Sequence, residues 1–146
     1  MCYHTLCNNA NGGKTLMAEK KTVFLTGASG HMGWAGFKEL YKKKDKLNIV
    51  QLLRDSEKNR KKFANYLNDP SVKIVWGDLK KYDDVLKCVE GSDYVLHVGG
   101  MVSPSADYYP TKTIQTNTTA AKNIVDAVKA QPNKDEIKVV YIGTVA

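Results

Sequence analysis

The 146-residue chain is 42% hydrophobic and 25% charged with a formal net charge of +7, the make-up of one globular domain with a single ordinary core. No window approaches the ~18 uninterrupted apolar residues of a membrane-crossing helix, and the first residues lack the apolar run of a signal peptide, so a cytoplasmic protein is expected. Cys2, Cys7 and Cys88 form no C-x-x-C pair, which excludes a recognisable zinc site or disulfide framework; no metal is expected, and Cys88 reads as a small buried hydrophobe.

Residues 1–20 are polar and without periodicity, and read as a disordered leader, with Met17 as an alternative start. Gly12-Gly13-Lys14-Thr15 imitates a phosphate loop, but the first glycine of that motif falls at Asn8 and no strand precedes it. From Thr22 short β-branched runs alternate with helical stretches. Strands are expected at 22–26, 48–53, 72–76, 93–98 and 137–142, each nearly all apolar as buried parallel strands are, with helices at about 32–44, 57–68, 82–90 and 112–130. Asn68-Asp69-Pro70 should end the second helix and Gly91 should cap the third. This alternation predicts an α/β, Rossmann-like, doubly wound parallel sheet with right-handed crossovers.

The basic runs Lys42–Lys46 and Arg60–Lys62 fall at the end of the first helix and within the second. Neither is interleaved with aromatics or set in a nucleic-acid-binding module, so they are read as solvated faces, and no nucleic-acid or membrane partner is expected.

The first strand runs directly into Gly27-x-x-Gly30-x-x-Gly33. A strand before such a turn and an amphipathic segment after it is the context of a dinucleotide site. Gly27 permits the tight turn, Gly30 lets backbone amides approach a pyrophosphate, and Gly33 lets the helix pack on the sheet. The pyrophosphate is expected over residues 28–32, lined by Ser29, Gly30, His31, Met32 and Gly33, with the helix N-terminus as the positive pole.

Further motifs follow in order: Gly77-Asp78-Leu79, then His97-Val98-Gly99-Gly100, then Asn117 inside a helix, then Val139-Val140-Tyr141-Ile142-Gly143-Thr144. Together with Thr26–Gly33 they resemble the N-terminal half of an extended short-chain dehydrogenase/reductase of the NAD-dependent epimerase/dehydratase type, from about Thr22 to the last residue. The resemblance implies that residues 21–146 are the NAD(P)-binding portion of such an enzyme, with the C-terminal strands and substrate region missing. It further implies that Asp78 accepts a hydrogen bond from the adenine amino group, with Leu79 completing the contact. The other reading is that Asp78 closes the strand–helix turn or caps the helix. Val98, Gly99 and Gly100 would lie against the cofactor's ribose and phosphates, although the family more often has alanines there. His97 reads as a packed, hydrogen-bonded histidine rather than an acid or base. Thr144 would orient substrate and Asn117 would support a proton relay.

At the end of the second strand, where an acidic residue would hold a ribose 2′-hydroxyl and an arginine a 2′-phosphate, the chain reads Arg54-Asp55. Arg54, with Lys58 and Arg60 just beyond it, favours NADP over NAD. Asp55 could be the hydroxyl acceptor or the N-cap of the next helix.

The family's Tyr-x-x-x-Lys acid/base pair follows the fifth strand, and this chain has no such pair there. Tyr108-x-x-x-Lys112 lies before the last helix with Pro110 inside it, and is rejected as that pair. The resemblance therefore implies hydride transfer on a nucleotide sugar or small carbonyl substrate in a longer parent, with no turnover by this chain alone. A homodimer is compatible with the family, and a non-catalytic NADP-sensing module is the alternative.

Overall fold

The computed structural model describes residues 19–143. Five strands, β1 (Lys21–Thr26), β2 (Leu47–Leu53), β3 (Val72–Trp76), β4 (Tyr94–His97) and β5 (Lys138–Tyr141), form one parallel sheet in the order β3-β2-β1-β4-β5. The direction of winding reverses between β1 and β4, which makes a crevice at their carboxyl ends the place for a ligand. Thr26 is in register with Leu52 on one side and His97 on the other, so β1, β2 and β4 end together at that rim.

The helices are α1 (His31–Tyr41), α2 (Glu57–Phe63), α3 (Tyr82–Val89), a short α4 (Ser105–Tyr108) and α5 (Pro110–Lys129). Alternate strand residues serve the two faces of the sheet. Phe24, Val50, Leu52 and Val95 pack with Val85, Cys88 and Val89 of α3 and with Ile124 and Ala127 of α5. Leu25, Ile49 and Leu53 face Phe37 of α1 and Phe63 of α2, where Trp34, Tyr41 and Tyr66 complete an aromatic cluster. None of the described helices is long and apolar enough to cross a membrane.

Several expectations are corrected. The helix expected over 57–68 ends at Phe63 and tightens into a 3₁₀ turn at Ala64–Tyr66, before Asn68-Asp69-Pro70. The aromatic cluster draws Tyr66 in, its ring 4.8 Å from that of Phe37 and 5.0 Å from that of Tyr41. The helix expected to reach residue 44 stops at Tyr41, and Lys44 turns back to pair with Asp69 at 2.9 Å. That contact and the Tyr41 hydroxyl hold the Asp69 carboxyl well below the usual range, so the first basic run is not wholly a solvated face. The expectation of strands buried throughout fails at β5, an edge strand whose residues are all exposed. Cys88 is buried, which pushes its thiol up to about 12, and Gly91 takes the left-handed φ of +74° after α3. The proposed leader, apart from residues 19 and 20, lies outside the described residues.

Candidate functional site

The turn after β1 is built by close backbone approach. Gly27 has φ +76°, and a Cβ there would stand 2.7 Å from the Gly99 backbone. A Cβ on Gly33 would meet the Gly27 carbonyl oxygen at 2.0 Å, and one on Gly99 would meet Leu79 and Thr26 Oγ1 at 3.0 Å. Glycine at 27, 33 and 99 is therefore fixed by packing of the turn, the helix and the strand end on one another. Gly30 differs: it is exposed, caps α1 with ordinary extended backbone, and its Cβ would meet only the Gly27 carbonyl at 3.3 Å. The first turn of α1, with His31 and Met32 exposed and Gly33 buried, carries neither a capping side chain nor an acidic residue, so no side chain of the turn opposes its positive pole.

Thr26 joins this turn to β4. Its Oγ1 accepts from the amides of Gly99 at 2.9 Å and Val98 at 3.1 Å and lies 2.8 Å from Nδ1 of the buried His97. With two amides donating to the oxygen, its one proton is left for His97, which makes Nδ1 the acceptor and Nε2 the protonated nitrogen. Burial pushes the imidazole pKa below its ordinary value, which agrees with that neutral form. His97 is thus a packed, hydrogen-bonded histidine, as read from the sequence.

Two asparagines of α5 hold the neighbouring loops. Asn117 accepts from Met101 N–H at 2.8 Å and donates to Met101 C=O at 3.1 Å, clamping the segment that begins Val98-Gly99-Gly100. Asn123 donates to Leu79 C=O at 2.9 Å. Asp78 accepts from the Lys80 amide at 2.9 Å and so closes the strand–helix turn, while its own amide donates to Asp84 at 3.1 Å. The carboxylate of Asp84 fills the space a Gly77 side chain would need, which explains that glycine.

Beyond the turn an open cleft of about 520 Å³ is lined by Arg54, Asp55, Trp76, Gly77, Asp78, Lys81 and Asp84. Asp55 is not the N-cap of α2, because Ser56 takes that place and its hydroxyl accepts from the Asn59 amide. Instead Asp55 is held by Arg60, Nε at 2.6 Å and Nη2 at 2.8 Å, and the Arg60 guanidinium lies 4.8 Å from the centre of the Trp76 ring. The pairing holds the Asp55 carboxyl below its usual range. Tyr108 and Lys112 fall on separate helices, α4 and α5, with Tyr108 78% exposed. Thr144 lies outside the described residues. Among the described residues no group of histidines, cysteines or carboxylates could hold a metal ion.

A model of the NAD dependent epimerase/dehydratase family matches residues 23–146. The chain belongs to that family. A UDP-glucose 4-epimerase of Rickettsia felis is 30% identical over 128 residues, and one of Rickettsia bellii strain RML369-C is 33% identical over 111 residues. These matches span 85% and 73% of this chain but only 36% and 32% of the relatives, so the chain corresponds to about a third of their length. Among solved structures, Pen from Bacillus thuringiensis superposes with a TM-score of 0.71 at 23% identity, covering 84% of this chain and 37% of that one. WbmH of Bordetella bronchiseptica, solved in complex with NAD+, superposes at 0.63 with 22% identity, covering 84% of this chain and 38% of that one. These likenesses show the fold.

The residues present fit the family's dinucleotide. The amides of α1 are unopposed by acid, Gly30 leaves the rim open, and the cleft extends from the end of β2 to the end of β3. Sequence reasoning missed four contributors: Thr26, Asp84, Asn123 and Lys62, whose ammonium donates to the Ser29 carbonyl of the glycine turn at 2.9 Å. A hydroxyl at the last strand residue and an acid in the first turn of α3 were visible signals for two of them. For Lys62, one lysine in a basic run, there was none.

Proposed function

We propose that residues 21–146 bind NAD(P) as the nucleotide-binding part of an epimerase, dehydratase or reductase whose substrate is a nucleotide sugar, and that residues 1–20 are a leader outside it. The observation that carries the reading is the open, acid-free N-terminus of α1 over the Gly27–Gly33 turn. Ser29, Gly30, His31, Met32 and Gly33 would hold the pyrophosphate. Arg54, Asp55, Asp78 and Leu79 would hold the adenosine, and Val98, Gly99 and Gly100 would border the ribose. Bound there, the dinucleotide would supply hydride transfer to or from a carbon bearing oxygen. NADP is the favoured form, because Arg54 lines the cleft while Asp55 is already engaged by Arg60.

Asn117 would act as a positioning residue, its amide holding Met101 and through it the loop beside the cofactor. Thr144 would orient substrate. Hydride transfer on a sugar nucleotide would fall to the protein that joins this nucleotide-binding part to the family's Tyr-x-x-x-Lys pair. Substrate binding and a homodimer belong to the longer protein.

Gly27→Val is a poor test of this proposal, since its side chain would strike the Gly99 backbone and perturb the fold. Gly30→Val is the better one. Its Cβ meets only the Gly27 carbonyl, at 3.3 Å against 2.0 Å for one on Gly33, and the branched side chain stands on the exposed rim. Its expected result is a native circular dichroism spectrum with NADH and NADPH affinity reduced at least about tenfold, as for loss of a charge-assisted contact. Unchanged affinity in the folded variant overturns the proposal.

A further inference from the structure

Three cations of α2 stand close together, and they differ in what they touch. Arg60 spends its guanidinium on Asp55 and the Trp76 ring, and Lys61 pairs with Glu57 at 2.6 Å one turn back. Lys62 is set apart. It is partly buried, its ammonium lies 4.4 Å from the centre of the Trp34 ring, and it donates 2.9 Å to the carbonyl of Ser29. No carboxylate among the described residues forms an ion pair with it, and the charges that bear on it are those of Lys58 and Lys38. An ammonium held this way keeps further N–H groups for another acceptor and gains from any anion that arrives.

Its place indicates which anion. Lys62 reaches the glycine turn from α2, the helix that follows β2, and so stands on the β2 side of the turn. In a Rossmann sheet the pyrophosphate lies over the helix N-terminus, and the 2′ position of the adenosine ribose lies between the turn and the end of β2. At the end of β2 the one acid that would repel a phosphate, Asp55, has both oxygens taken by Arg60. Arg54 lines the cleft beside it.

We propose that Lys62, held between the Ser29 carbonyl and the Trp34 ring, is the residue that determines selectivity for an adenosine nucleotide carrying a 2′-phosphate, with Arg60 neutralising Asp55 in support. The inference rests on the dinucleotide reading above. It adds a cation from α2 to the arginine at the strand end, and it makes the partly buried, hydrogen-bonded Lys62 rather than the exposed lysines the source of discrimination.

The test is a titration of the 146-residue chain with NADPH and NADH, followed by tryptophan emission and repeated by calorimetry. The unmodified chain should bind NADPH more tightly. Lys62→Gln should lower NADPH affinity about tenfold or more, as for loss of one charge-assisted hydrogen bond, and leave NADH affinity within about threefold. Lys62→Met, which keeps the alkyl stem over Trp34, gives the same reading if the glutamine variant does not fold. Equal losses for both nucleotides would assign Lys62 to the pyrophosphate or to support of the turn and overturn the proposal, as would NADPH affinity unchanged in the variant. NADH bound more tightly than NADPH by the unmodified chain would overturn it while leaving the dinucleotide reading intact. Binding of neither nucleotide would overturn both.

Discussion

Replacing Thr26 with valine removes one oxygen and leaves three groups without their partner: the amides of Val98 and Gly99 and Nδ1 of His97. A buried donor or acceptor left unpaired costs about 1–3 kcal/mol, so Thr26→Val should lose about 2–4 kcal/mol in urea unfolding at near-constant volume. His97 adds a pH dependence of known sign. Its folded pKa lies below the ordinary 6.5 because it is buried, so the unfolded chain takes up the proton first as pH falls. The stability it contributes is fully present above about pH 6.5 and is lost as pH drops through the folded value. In a series of urea midpoints taken downward from pH 7.5, His97→Gln should flatten the slope below pH 6.5; a slope unchanged by the substitution would assign it to other groups. Gln51 is the opposite case, a fully buried amide on the aromatic face of β2 with neither its oxygen nor its nitrogen hydrogen-bonded among the described residues. Gln51→Leu should raise stability by about 1–2 kcal/mol, and a loss would mean that the amide has a partner.

At the scale of elements, two glycines of α1 separate packing from propensity. Gly33→Ala drives a methyl group onto the Gly27 carbonyl, so α1 must move off the turn, with a loss of at least about 2 kcal/mol and of nucleotide binding. Gly36 has open space around its missing side chain, and Gly36→Ala should gain about 0.5–1 kcal/mol in urea unfolding. This contrast also shows what the sequence could reveal. The period and punctuation of the chain located all five strands to within one residue at each end, because short β-branched runs between turn residues are local signals, even at β5, which is not buried. The end of α2 was not legible, since tertiary contact of Tyr66 with Phe37 and Tyr41 overrides the local helical pattern. Of the candidate site, the glycine turn after β1 was legible as a tight turn, and of the two readings of Asp78 the closure of the strand–helix turn matches its contact with the Lys80 amide. The pairings of α2 with the cleft and with the glycine turn, Asp55 with Arg60 and Lys62 with Ser29, were hidden. They join residues at spacings with no helical or strand period, one of them across 33 positions.

For the whole molecule, the strand order places the two sheet edges at β3 and β5, and these edges differ. β3 has one exposed residue of five, whereas all four of β5 are exposed, Val139 and Val140 at 45% each and Tyr141 at 63%, beside Val125 on α5. An unpaired parallel strand with apolar side chains on both faces is a template for another strand. The 146-residue chain should therefore associate in a concentration-dependent way, measured by light scattering on a sizing column, and Val139→Lys with Tyr141→Lys should return it to a monomer. A wild-type monomer at high concentration would contradict this. The central claim, that the Gly27–Gly33 turn and the adjoining cleft form a dinucleotide site, has a direct optical test, since Trp34 lies beneath Lys62 at the turn and Trp76 lines the cleft. Titrating the folded chain with NADPH should quench tryptophan emission saturably, with ADP-ribose and 2′,5′-ADP competing and Gly30→Val abolishing the response at the same concentrations. A folded chain whose emission shows only the linear inner-filter loss, with no saturation and no competition, would contradict the account.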